Sequence, residues 1–234
     1  MTAAPETSSH LTPTGLGSRT WWALIIVGLI GQVAWVVENM YLNLFVYETI
    51  TDDPTVIALM VAVSAISATA AAFVVGAWSD RVGKRRVFIT AGYALWGLST
   101  MLFGFATVDT LATFVPVATA ATAAATAVIV IDAIMSFLGA GANDASFNAW
   151  VTDTTDERNR GRVETVLTAM PLLAMLLVFG AMDPLTKDGQ WSAFFVITGV
   201  LMIAAAGVAW LLVRDSPREQ VQHEALLRLR AAVG

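Results

Sequence analysis

The stretch GAWSDRVGKRR, residues 76–86, puts four basic side chains and one acid between two long apolar runs. Upstream, Thr55 to Ser79 carries no charge; downstream, Val87 to Val108 carries none either. Each run is long enough for a helix to cross the hydrocarbon core, which takes about 20 apolar residues. A short charged loop between two such runs is the pattern of a membrane hairpin. Lys and Arg accumulate on the cytoplasmic side of membrane proteins, so this loop marks that side.

The alternation continues in both directions. Further spans are expected over Trp21 to Tyr47, 120 to 151, Thr165 to Met182 and Trp191 to Val213. All of the 13 Lys and Arg except Lys187 then fall on the side of residues 76–86. That parity predicts six crossings with both termini cytoplasmic. Thr110 to Thr152 is long enough for two spans, with Asp132 and Asp144 its only charges. Two crossings would carry Arg158, Arg160 and Arg162 to the wrong side, so one long tilted helix is expected there. The Thr/Ala-rich residues after Leu111 are expected to form a loop or an extension of that helix.

Composition agrees with an all-α integral membrane protein. Apolar residues make up 57% of the chain and charged residues 13%, with a mean hydropathy of +0.70, far from soluble averages. A net charge of -5 argues against nucleic acid as a partner. With no cysteine there is no thiol nucleophile or cysteine metal site. The expected organisation is a tail over 1–19, a bundle over 20–214 and a second tail over 215–234. Ser216, Pro217 and Glu219 form a helix-start signature, and the following apolar face suits either an interfacial helix, a solvated one or the start of a central loop.

Polar residues inside the spans are the candidate site. A charged side chain at mid-bilayer costs roughly 2.5–3.5 kcal/mol on insertion scales, so it ordinarily faces a partner or a water-filled path. Glu38 lies about 25 Å along its helix from Trp21 at 1.5 Å per residue. Gln32, Trp35, Asn39 and Asn43, spaced by 3, 4 and 4, would form one polar and aromatic stripe on a uniform α-helix. Such a stripe suits a sugar-like or other small polar solute, or hydrogen bonds between helices. Asp132 and Asp144 stand 12 positions apart, about 120° around an α-helix, which would keep them off one narrow face. Asn143 and Asn148 flank Asp144. Pro171 is expected to kink the fifth span.

Catalysis is not expected. The two histidines, His10 and His223, lie in the tails, away from any buried serine or metal site. No phosphate-binding GK[ST] loop occurs, so ATP is not expected to drive the protein, and no cofactor or metal is expected.

The pattern G-x-x-x-D-R-x-G-K-R over residues 76–85, between spans two and three, resembles the signature loop of the major facilitator superfamily. Together with GQVAWVVENMYLNLF (31–45) and NDASFNAWVTDTTDERNRGR (143–162), it is similar to the glycoside–pentoside–hexuronide:cation symporters, the melibiose-carrier group. The resemblance implies half of a two-bundle carrier that moves solute by alternating access. It implies that Asp80 and Arg81, with Gly76, Gly83 and Arg85, form a cytoplasmic gate. One acid of the fourth connection would meet Arg81 across it. Asp144 would contribute to sugar or cation binding, with a proton or sodium as coupling ion. The implied partners are the lipid bilayer of the cell membrane, a second six-helix half and a small polar solute. Two positions depart from that group's cation site: Ala68 and Ala72 stand where acids are usual. A non-transporting half-domain or assembly subunit is the alternative function.

Overall fold

A computed structural model describes residues 16–215; the tail helix expected from Ser216 onward lies outside them. The described residues form helices and no strand. Six helices are long and apolar enough to span a membrane: α1 (Ser18–Thr49), α2 (Pro54–Val82), α3 (Arg85–Phe105), α4 (Val117–Thr154), α5 (Arg160–Ala181) and α6 (Trp191–Leu212). The fourth apolar region is a single helix of 38 residues, and the chain before it makes a short turn of helix at Val108–Leu111. Pro171 sits inside α5 without ending it.

Local chemistry sets the helix ends. Asp53 caps α2, its carboxylate accepting the Thr55 N–H at 2.8 Å, with Pro54 at the first helical position where a missing N–H costs nothing. Gly83 ends α2 at φ 62°, a left-handed conformation that glycine adopts without strain. Only Gly83 and Lys84 separate α2 from α3. Arg19 at the start of α1 donates to the last carbonyls of α6, Leu211 and Leu212, which no intrahelical N–H can satisfy. Near the same end, the Trp150 indole of α4 donates to the Arg214 carbonyl at 2.9 Å.

The packing repeats itself. Helix α1 packs on α5 and α6, and α4 packs on α2 and α3, while α3 and α6 make the closest contact of all. Exchanging α1–α3 for α4–α6 leaves this pattern unchanged, as in the nested three-plus-three repeats of carrier bundles. At the α3–α6 contact a Cβ on Gly97 would lie 2.6 Å from the Gly199 carbonyl oxygen. The two backbones therefore touch, the small-residue packing that membrane helices use. At the end remote from residues 76–86, Phe45, Phe103 and Trp191 surround Phe195 with ring centroids 5.1, 5.4 and 6.1 Å from it. Beyond them, Lys187 lies 2.6 Å from Asp183, whose carboxyl also accepts from the Tyr41 hydroxyl. The Lys187 ammonium is the largest cause holding that carboxyl below its ordinary range.

Burial is uneven. About half of α1 is buried, whereas most of α2 and α5 is exposed. Ile66, Phe73 and Trp78 on α2 and Leu172 and Leu176 on α5 are largely exposed. Helices α1 and α4 also share a departure from ideal geometry, with π-helical segments at Val37–Leu42 and Ala140–Phe147.

Candidate functional site

Both π segments fall on the polar residues of the spans. A π-bulge accommodates one extra residue, which resets the angular register beyond it. Only part of the stripe expected on α1 faces one space. Trp35, Glu38, Asn39 and Asn43 line one cavity, while Gln32 stands outside its lining. Asn39 and Asn43 donate their side-chain amides to the carbonyls of Trp35 and Asn39, each at 2.8 Å. Those carbonyls lie where the widened turn shifts the regular bonding pattern. On α4 the π segment contains Asp144, so the separation of about 120° from Asp132 reckoned on a uniform α-helix does not carry over.

The cavity has a volume of about 160 Å³. Met60, Val61, Ser64, Ala65 and Ala68 of α2 form one wall, and Asp132 of α4 completes it. Glu38 is 7% exposed and Asp132 2%. The Ser136 hydroxyl donates to Glu38 Oε1 at 2.5 Å, and Ser64 reaches the same oxygen at 3.3 Å while touching Ser136. Ser67 donates to the Ala133 carbonyl at 2.5 Å, pinning α2 against α4. Three buried oxygens of the cavity lining have no hydrogen-bond partner: Glu38 Oε2, Asn43 Oδ1 and Asp132 Oδ1.

The other polar residues of α4 sit apart from this cavity. Asn143 is buried, accepts from the Tyr93 hydroxyl at 2.9 Å and donates to Asp144 Oδ1 at 2.9 Å. The Trp35 side chain also approaches the Asp144 carboxylate. Asp144, Asn148 and Asn39 are exposed in the isolated bundle. Sequence reading missed Ser64, Ser136 and Tyr93. For Ser136 a signal existed, because it lies four residues after Asp132 and so on the same face.

At the opposite end of α2, Arg85 is the centre of the charged loop. It is 8% exposed; its Nη1 lies 2.6 Å from Asp80 Oδ1 and donates to Ser79 Oγ at 2.9 Å. Its Nε lies 3.4 Å from Asp153 Oδ2 at the end of α4. The acid of the fourth connection thus meets Arg85 where the sequence pointed to Arg81, whose side chain is exposed. Geometry explains the exchange: side chains on a helix lean toward its N-terminus. Arg85 opens α3 and leans back over the ends of α2 and α4. Gly76 sits a turn before this network, where an added Cβ would meet Ala145 of α4 at 3.7 Å.

Six apolar helices in a repeated packing, with acids and amides gathered between α1, α2 and α4, define a multi-pass membrane protein with a transporter-type half-domain. The family model of the Major Facilitator Superfamily matches residues 23–232, and the chain belongs to that superfamily. No curated protein and no solved structure matches the chain.

Proposed function

We propose that the chain is one half of a secondary active transporter, moving a small polar solute by alternating access and driven by a proton or sodium gradient. The carrying observation is the uncovered polar face. Asn39, Asp144 and Asn148 are exposed on helices long and apolar enough to span a membrane, and contact of such groups with lipid is costly. They lie on α1 and α4, whose flanks are the little-buried helices α2 and α5. A second six-helix bundle laid against α2 and α5 would enclose them in a path between the halves. That bundle could be another chain, a second copy or the remainder of a longer protein.

Within this reading the loop of residues 76–86 faces the cytoplasm of the cell. Asp80, Arg85 and Asp153, with Arg81 at the rim, form a latch that ties α2, α3 and α4 together on that side and opens during the cycle. Asp144 and the Glu38–Asp132 pair are the acids available for ion coupling. Membership of the melibiose-carrier group, and with it a sugar substrate, rests on residues 31–45, 76–86 and 143–162 alone. The acids usual on α2 in that group are absent, and Ala68 lines the cavity to which Glu38 and Asp132 bring theirs from α1 and α4.

The test is uptake into proteoliposomes containing the chain together with a second six-helix half, under imposed proton and sodium gradients. Accumulation that collapses when the gradient is dissipated supports the reading. Equal entry with and without a gradient, across a panel of polar solutes, rejects it.

A further inference from the structure

We propose that the cavity between α1, α2 and α4 binds a small organic cation, an ammonium-type head held by Glu38 and Asp132 beside the Trp35 ring. The inference deepens the transporter reading by naming a solute class, and it rests on the cavity lying on the solute path. Its basis is a balance of donors and acceptors. The atoms left unpartnered there, Glu38 Oε2, Asn43 Oδ1 and Asp132 Oδ1, are all oxygens, and an amide oxygen or an ionised carboxylate can only accept. Most donors around them are engaged. The Asn39 and Asn43 amides each give one N–H to a backbone carbonyl, and the Ser64 and Ser136 hydroxyls donate to Glu38 Oε1. Trp35 turns toward Asp144. A neutral sugar brings as many acceptors as donors and would find few groups to receive from. A ligand that only donates, or carries positive charge, matches the wall.

Charge argues the same way. Helices α1 and α4 supply two carboxyl groups, whereas no Lys or Arg occurs in residues 20–80 or 87–157. Those stretches therefore hold no cationic side chain to balance them, and a buried carboxylate that stays charged needs a positive partner. Size separates an organic cation from a bare ion. A volume of about 160 Å³ is many times the roughly 10–15 Å³ that one water requires. Met60, Val61, Ala65 and Ala68 give apolar contact for methyl or methylene groups around the charge. The Trp35 ring supplies a face that attracts cations. Among the described residues no cluster of three acidic or histidine ligands forms, which disfavours a divalent metal as occupant.

The test uses the full chain in lipid nanodiscs with radiolabelled choline as probe. Competitors are tetramethylammonium, the uncharged choline isostere 3,3-dimethyl-1-butanol and methyl glucoside. Saturable choline binding is expected, displaced by tetramethylammonium, with the isostere at least tenfold weaker. Glu38→Gln and Asp132→Asn should each weaken binding at least tenfold, while Thr165→Ala, on α5, leaves it unchanged. If a carboxyl variant fails to fold, the comparison of choline with its isostere still decides on the unmodified chain. Absence of saturable binding, equal competition by the isostere, or full binding in both carboxyl variants overturns the proposal. Glu38-dependent binding of methyl glucoside would also overturn it while leaving the transporter reading in place, because gradient-driven uptake tests that reading separately.

Discussion

Arg85 and Asp80 meet at 2.6 Å across the turn between α2 and α3, the arginine 8% exposed and the acid open to solvent. The arginine also holds Asp153 from α4, so three helix ends converge on one guanidinium. Its planar fork of five donors can serve several acceptors at once, which an ammonium does less well.

Arg85→Lys and Asp80→Ala should therefore slow the transport cycle about tenfold or more while changing solute affinity little. Arg81→Ala, at an exposed position, should have the smaller effect. Initial uptake rates over a range of solute concentrations separate the two quantities. A loss confined to affinity would contradict a latch.

Asp144→Asn removes a carboxylate that Asn143 and Trp35 approach but keeps its size. Coupled uptake in an assembly of two halves should be abolished, with membrane insertion and yield unchanged. Undiminished proton- or sodium-driven uptake would take Asp144 out of the coupling step.

Gly199→Leu forces a large side chain into the place where α3 and α6 touch. An added Cβ there already falls against the Gly97 carbonyl and Met101. Overpacking of this kind costs about 1–3 kcal/mol, so the melting temperature in detergent should fall by several degrees. Gly207→Leu, where no atom lies within 4 Å of an added Cβ, should melt like the unmodified chain.

Lys187→Gln should lower stability slightly at neutral pH and leave it unchanged in strong acid. Lys187 holds the Asp183 carboxyl below its ordinary value of 3.8. A lowered carboxyl contributes stability that is present above the unfolded value and lost as pH falls through the folded one. Removing the ammonium should lower the neutral plateau of the melting profile and reduce its fall between about pH 5 and the folded value, so that the two proteins converge in acid. The difference should be small, because both groups are solvated.

Orientation can be read directly, since the chain has no cysteine of its own. Cysteine placed at Lys84 should react with an impermeant maleimide from the cytoplasmic side, and cysteine at Lys187 from the other side only. Labelling of both from one compartment would overturn the six-crossing topology.

The spans were legible because lipid imposes a length. Runs such as Thr55 to Ser79 allow no other reading, and the basic residues of the fourth connection decided between one and two crossings there. The site was legible only in part. Glu38, Trp35, Asn39, Asn43 and Asp132 do gather, yet the π segments beside them follow from backbone hydrogen-bond register, which leaves no mark in residue spacing. Serines inside apolar runs read as packing, so the contacts of Ser64 and Ser136 with Glu38 stayed hidden. Arg81 drew attention through its motif, whereas the direction in which α3 begins gave its neighbour four positions later the central place.

The wide turns of α1 and α4 have a mechanical consequence. Each is one hydrogen-bond step away from the ordinary helical repeat, and taking that step would swing everything beyond it by about 100°. In α1 the swing would carry Asn43 and the aromatic cap around Phe45 while the shaft below Trp35 kept its seat. Two rods of this bundle are thus built like screws with a slack thread, and the slack sits beside their acids.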